Sequence, residues 1–376
     1  MRTNDPSVYF KDDPNLTLYV NAYSIMTQCL NTACRIVQPS FPRAERPKVF
    51  IFDDAEPNAT TTEDNEIEVN KGLLTALSTM IDTRYSDTRL RRFKILERLP
   101  GATVRKEIRA FAWRFILMHE LYHLWHAHDL WETLYKYDDN GNMVELFVNA
   151  PKLHTKRGEC VRAMSDSLTP ERMESAITCQ ALELDADSCA VSMIINFMFA
   201  EYDGRQAAGQ VLDKTLFLSE NTTMLVAALS ATFCTFDGNR GAQFDKLLDD
   251  DEFYYTHPIP AIRMYYAEEI MDAMLWKHLN DKNTVAEIER LWVIVDSEME
   301  SETRSTFDWR NTFLFPAYTN KAQRHLCTLK RRLNDMHDSI ERLATANMQE
   351  KLAEEDLSYS QEAVAFTDQG ESLRGW

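Results

Sequence analysis

The feature that most constrains this chain is a His-Glu-x-x-His sequence inside an apolar run. Residues 115–125 read Phe-Ile-Leu-Met-His-Glu-Leu-Tyr-His-Leu-Trp. Residues four apart lie on one face of a helix, so His119 and His123 can point at the same spot. Two imidazoles in that arrangement can hold one zinc ion. The carboxylate of Glu120, beside them, can take a proton from a water molecule activated by the metal.

The same five residues could also occur on a surface helix, with both histidines in contact with water. The flanking sequence disfavours that interpretation, because residues 115–118 are all apolar and predict a buried helix. Unpaired polar groups in a buried helix cost free energy. Buried histidines in register therefore need a partner, and a metal ion is the simplest one.

A catalytic zinc site usually has three protein ligands, and three residues are candidates for the third. Asp129 is the last residue of the extended pattern His-Glu-x-x-His-x-x-Gly-x-x-His/Asp. His126 occupies the glycine position of that pattern, and without glycine the sharp turn is harder to make. His128 follows His119 by nine residues, about two and a half turns on a continuous helix, which places it out of reach.

Glu183 is the third candidate and the preferred one. Glu183 and Asp187 are four residues apart and share a helix face. One carboxylate can bind zinc while the other accepts the free N–H of a ligand histidine and fixes its tautomer. An ordinary acidic helix face is the alternative, but most neighbouring residues are apolar. The sequence therefore predicts His119, His123 and Glu183 as ligands, with Asp187 behind them.

Local patterns predict an α+β fold that is mostly α-helical, with a small mixed sheet of about three or four strands. Residues 53–65 are predicted to form a loop, and an Asn-Gly pair between two β-type runs predicts a hairpin over 135–148. The predicted strands cover 48–52, 66–70 and the hairpin. The predicted helices cover 18–37, 72–83, 103–128, 169–200, two segments within 205–235, 258–279, 284–299 and 320–350.

Composition narrows the class of protein. The 376 residues carry a net charge of −18, with 59 acidic and 41 basic side chains, which disfavours nucleic acid or an anionic membrane as partner. The longest apolar candidate, 224–236, is too short to span a bilayer, and the N-terminus lacks an apolar signal core. Seven cysteines without a Cys-x-x-Cys pair favour reduced thiols. We expect a soluble, cytoplasmic protein.

Four segments together resemble the gluzincin metallopeptidases of the HtpX and CAAX prenyl protease type. The first is the His119–His123 motif followed by His128. The other three are Glu183-Leu184-Asp185-Ala186-Asp187, which is similar to a Glu-x-x-Ala-Asp third-ligand motif, Val69-Asn70-Lys71-Gly72-Leu73-Leu74, and Thr256-His257-Pro258 with Arg263. They stand in the family's order and cover roughly residues 48–270.

The resemblance implies a zincin-like domain with its small mixed sheet at the active-site edge. It implies that Val69 and its neighbours form a sheet edge along which a peptide lies. It also implies that His257 lies near the zinc, where it stabilises the transition state or regulates metal access. Arg263 would bind a carboxylate or hold its helix in place. Glu120, His257 and Arg263 are thus the predicted catalytic residues.

The chain departs from the HtpX type in showing no transmembrane helices and in a long insertion, 129–168, between the two ligand segments. Soluble phage-exclusion peptidases of the Lit type are more similar in character. They resemble this chain in Trp113, in Ala186-Asp187-Ser188 and in Thr256-His257-Pro258. We interpret the organisation as a helical lead-in (1–47), a peptidase domain (48–280), a helical region (281–357) and a flexible tail (358–376).

These patterns predict a soluble zinc metalloendopeptidase of narrow or regulated specificity, with Zn²⁺ as cofactor and a protein or peptide as substrate. The insertion is a candidate lid over the site. Two alternatives stay open, a phage-defence protease that needs a trigger and a non-catalytic, zinc-stabilised interaction protein. The substrate is not predicted.

Overall fold

The computed structural model describes residues 2–37, 46–62, 65–91, 93–126, 128, 135–137, 143–145, 170–237, 258–298 and 320–350. The described part is mostly helical with one small mixed sheet, which confirms the predicted α+β class at that level. The strands are β1 (Arg2–Thr3), β2 (Lys48–Phe52), β3 (Ala59–Thr62), β4 (Glu66–Asn70), β5 (Tyr135–Tyr137) and β6 (Met143–Glu145). The helices are α1 (Pro6–Tyr9), α2 (Leu16–Val37), α3 (Lys71–Arg84), α4 (Asp87–Leu90), α5 (Gly101–Trp125), α6 (Pro170–Ala207), α7 (Lys214–Asp237), α8 (Pro260–Leu279), α9 (Lys282–Glu298) and α10 (Asn320–Glu350), with a 3₁₀ turn at Lys94–Leu96.

The main sheet has the strand order β1-β2-β4-β3. β2 and β4 are parallel, with Ile51 opposite Val69, while β1 and β3 are antiparallel to their neighbours. β4 is therefore a central strand, and Val69 is fully buried. The expectation that Val69 lies at a sheet edge is wrong, because residues 59–62, predicted as loop, form the edge strand β3. Their polar Ala-Thr-Thr-Thr sequence does not by itself predict a strand, and the strand forms through its pairing with β4.

Helix α5 runs through the centre of the structure and packs against α2, α6 and α7. Residues 115–121 of this helix are all buried, so the apolar flank of the His-Glu-x-x-His sequence lies in the core as predicted. The helix α7 is long and apolar enough to cross a membrane by length and composition. Inside the structure, 89% of its apolar window is buried, as expected of a core helix.

Several element boundaries differ from the prediction. Helix α5 ends at Trp125, three residues earlier than expected, and 205–235 holds the end of α6 and one helix, α7, instead of two helices. The hairpin is confirmed, with Tyr135 opposite Glu145, but β5 and β6 form a sheet of their own. The rest of the 129–168 insertion and the predicted tail lie outside the described residues.

One apolar core joins the predicted lead-in to the predicted peptidase domain. It contains Phe10 and Met26 from the N-terminal helices, Leu117 from α5, and Trp292 from α9. Buried side chains from distant parts of the chain thus share one interior. The domain boundaries given by the sequence stay predictions. This core fixes α5 and α6 side by side, which is what assembles the candidate site.

Candidate metal centre

Helix α5 presents two imidazoles to one point. His119 and His123 lie one turn apart, and their Nε2 atoms are 3.1 Å from each other. His119 is buried, and the His123 side chain is 17% exposed. The four-residue spacing therefore brings the two rings together on one face of the helix, as the sequence predicts.

Glu183 on α6 completes the cluster. Its Oε2 lies 3.4 Å from Nε2 of His119, and its Oε1 lies 3.5 Å from Nε2 of His123. Bonds of 2.0–2.1 Å from a tetrahedral zinc ion would separate two ligand atoms by about 3.3 Å, and the three observed separations lie close to that value. The donor set of two imidazoles and one carboxylate therefore fits a zinc ion.

Asp187 lies behind His119. Its Oδ1 is 2.9 Å from Nδ1 of His119, the ring atom that faces away from the cluster. The same carboxylate accepts two hydrogen bonds of 2.7 Å from Nε and Nη2 of Arg263, on α8. Asp187 thus links His119, a candidate ligand, to a buried cation, an arrangement that can fix the orientation of a ligand ring.

The charges around His119 favour a cation. Burial alone would lower the pKa of His119, but the carboxylates of Asp187 and Glu183 outweigh it and raise this pKa to about 9. Burial would raise the pKa of Asp187, yet Arg263 and His119 lower it overall. The pKa of Arg263 is raised by the nearby carboxylates despite burial, so its charge is permanent. The site therefore stabilises positive charge at the imidazoles, from a proton or from a metal ion.

Glu120 is buried beside the cluster. On a helix its side chain is rotated by about 60° from that of His123, so it projects next to the face that carries His119 and His123. Its negative charge is one of those that raise the pKa of Arg263, so the two side chains attract each other electrostatically. A carboxylate next to a metal position is the group needed to move a proton to and from water.

A second group of polar side chains adjoins the first. His126 and His128 follow the end of α5, and both contact Oδ2 of Asp185 on α6. Nδ1 of His128 lies 2.9 Å from Nδ1 of His123. All three residues of this group are buried. The premise that α5 continues through His128 is wrong, because the chain leaves the helix after Trp125 and turns back toward α6.

Sequence reasoning missed the roles of His126, His128 and Asp185. The signal that could have found them is the density of histidines just after the motif, together with an acidic residue between Glu183 and Asp187. His128, predicted to lie out of reach on a continuous helix, instead has its Nδ1 2.9 Å from Nδ1 of His123. Asp129 and His257 lie outside the described residues. Arg263, predicted to bind a carboxylate or hold its helix, contacts Asp187 with its guanidinium and lies 4.7 Å from the ring centre of Phe233.

Comparison with family models, with curated proteins and with solved structures found no match.

Proposed function

We propose that this protein is a soluble zinc metallopeptidase with a zincin-like active site. The observation that carries the proposal is the convergence of Nε2 of His119, Nε2 of His123 and the Glu183 carboxylate at separations of 3.1 to 3.5 Å. Three protein ligands that leave a fourth position are typical of catalytic zinc. The resemblance to gluzincin peptidases agrees with this donor set and its order along the chain.

A zinc ion held by these residues would supply Lewis acidity, which makes water a better nucleophile and polarises a carbonyl group. His119 and His123 would hold it through Nε2, with Nδ1 of His119 lying 2.9 Å from Asp187 and Nδ1 of His123 lying 2.9 Å from His128. Glu120 accepts the proton of the attacking water at its carboxylate and delivers it to the nitrogen of the departing amine. Arg263 keeps Asp187 ionised, so that Asp187 holds the ring of His119 in position.

The edge strand β3 is the candidate site for a peptide substrate. β3 pairs with β4 on one side, is the last strand of the order, and contacts α5. An extended peptide can add to such an edge through main-chain hydrogen bonds. The role that the family resemblance implied for Val69 therefore passes, in this proposal, to Ala59–Thr62.

Metal content and hydrolysis in matched variants test the proposal. The purified full chain should bind about one zinc ion, as expected of a single three-ligand site, and His123→Ala should lose most of it. Glu120→Gln should keep the fold and the zinc but lose about a hundredfold or more of casein or peptide turnover, because an amide cannot act as the base. Glu107→Gln, on the same helix outside the cluster, is the control. Unchanged turnover in Glu120→Gln would contradict the mechanism.

A structural zinc site is the second candidate, and the burial of the cluster favours it. The side chains of His119 and Glu183 are only 7% and 12% exposed, and structural zinc sites are closed. In that case the zinc-loaded wild type would cleave no component of a diverse peptide pool. Comparison of N-terminal peptides from cells that express wild type or Glu120→Gln would separate the two functions and identify a substrate.

A further inference from the structure

The group formed by His126, His128 and Asp185 raises the question of a second metal ion. Its side chains are buried, and imidazoles and a carboxylate are good metal ligands. The geometry differs from that of the first cluster. Nδ1 of His126 is bonded to Oδ2 of Asp185, and Nε2 of His128 lies 3.1 Å from the same oxygen, so both imidazoles converge on a single carboxylate atom. These groups are hydrogen-bonded to each other directly.

The tautomers of His123 and His128 follow from the zinc site proposed above, on which this inference rests. A neutral imidazole carries one proton. If Nε2 of His123 faces the metal, its proton is on Nδ1, which lies 2.9 Å from Nδ1 of His128. That atom of His128 must accept the hydrogen bond, so the proton of His128 is on Nε2. Nε2 lies 3.1 Å from Oδ2 of Asp185 and donates to it.

A metal-bound His128 does not fit beside zinc-loaded His123. A metal at Nε2 of His128 would move the ring proton to Nδ1, where it would meet the Nδ1–H of His123 across 2.9 Å. Filling both clusters at once would therefore require an imidazolate or a different geometry.

We propose that His128 and Asp185 form a hydrogen-bond relay that orients His123 as a zinc ligand. In this relay, Nδ1–H of His123 donates to His128, whose Nε2–H donates to Asp185. His126 donates its Nδ1–H to the same Oδ2 and holds that carboxylate in place. Asp187 performs the same task for His119 without an intermediate. One helix, α6, thus supplies one ligand and the two carboxylates that position both ligand histidines.

The relay makes His128 a positioning residue, and its chemistry can be tested without any substrate. In His128→Gln the amide oxygen can still accept from His123 and the amide N–H can still donate to Asp185, whereas His128→Leu can do neither. We expect zinc affinity, measured by competition with a chromophoric chelator, to fall by about ten- to a hundredfold in His128→Leu and by much less in His128→Gln. His278→Leu, an exposed histidine on α8 bonded to Asn196, is the control.

Two further measurements make the test decisive. In the His123→Ala background, His128→Leu should cause no additional loss of affinity, because residues that act through one another are not additive. In zinc-loaded wild type, long-range ¹H–¹⁵N spectra of the imidazole rings should show His128 protonated on Nε2 and His123 protonated on Nδ1. The spectra use the wild-type chain, so they decide the matter even if a variant fails to fold.

The outcomes are distinct. Two zinc ions per wild-type chain, one of them lost in His128→Leu with the other bound as tightly as before, would overturn the relay in favour of a second metal site. A His128 protonated on Nδ1, or wild-type affinity in both His128 variants, would also overturn it. Retention of zinc by both His119→Ala and His123→Ala would instead refute the proposed zinc site itself.

Discussion

The guanidinium of Arg263 donates two hydrogen bonds of 2.7 Å to the carboxylate of Asp187, and the two side chains are 5% and 0% exposed. The pair joins α8 to α6 directly behind a candidate metal ligand. A buried ion pair is favourable only while both partners are present, since each charge has lost its hydration. The stability of the structure and the geometry of the site therefore depend on the same contact.

Loss of one partner should be costly. We expect Arg263→Met to lower the free energy of unfolding by about 3–5 kcal/mol, because it leaves the Asp187 carboxylate buried without its cation. The double variant Arg263→Met with Asp187→Leu should be more stable than Arg263→Met alone. Denaturant titration of the zinc-free protein measures both. Arg205→Met, which removes an exposed ion pair with Glu201, should cost no more than about 1 kcal/mol.

Asp187 should control zinc affinity without binding the metal. Asp187→Ala removes the carboxylate that lies 2.9 Å from Nδ1 of His119, so the ring loses the group that orients it, and zinc affinity should fall by about ten- to a hundredfold. Chelator competition gives the affinity. Asp335→Ala, an exposed aspartate on α10, should bind zinc as wild type does. A structure in which Asp187 itself contacts the ion would contradict the assignment.

Zinc should stabilise the fold through the three-ligand cluster alone. At a free zinc concentration of about 100 times Kd, binding to the native state adds about 2.7 kcal/mol, and chelation with EDTA should remove it. Differential scanning calorimetry with and without EDTA should therefore show a lower Tm in the wild type and no EDTA effect in His123→Ala. His278→Ala should respond as the wild type does. A His123→Ala protein that is still destabilised by EDTA would place the ion elsewhere.

Gly72 at the start of α3 should tolerate no side chain. A Cβ there would lie 2.0 Å from the carbonyl oxygen of Ala55, so the backbone would have to shift. We expect Gly72→Ala to destabilise the protein by about 1–3 kcal/mol or more. Gly204→Ala is the matched control, because a Cβ at that position of α6 meets nothing within 4 Å. Removing a helical glycine there should stabilise the protein by about 0.5–1 kcal/mol, and equal effects in both variants would refute the steric argument.

A pair of carboxylates should make stability depend on pH. Burial and a hydrogen bond to Asp272 raise the pKa of Glu289 from its usual 4.5 to about 7. The folded state therefore holds a proton that the unfolded state has released, and the associated stability is present below pH 4.5 and is lost as pH rises through about 7. Glu289→Gln should flatten this dependence, with a stability gain over wild type that grows from pH 5 to pH 8. A constant difference across that range would remove Glu289 from the linkage.

Local patterns were enough to predict that His119, His123 and Glu183 come together in a cluster that could hold a metal ion. The spacing of His119 and His123 and the acidic pair on α6 define helix faces, because helical periodicity is a property of a few consecutive residues. The same reasoning placed β2 at residues 48–52, which are rich in β-favouring residues, and α10 at 320–350, where apolar residues recur with helical spacing. An apolar flank also predicted correctly that the motif helix is buried.

Only the tertiary structure decided how these pieces meet. Residues 59–62 became a strand because β4 offers them hydrogen-bond partners, and that pairing left Val69 in the interior. The end of α5 carries no glycine or proline. The helix nevertheless ends at Trp125, and His126 and His128 contact Asp185 on α6. Such contacts join residues nearly sixty positions apart. They depend on which helices pack together, and no local periodicity specifies that.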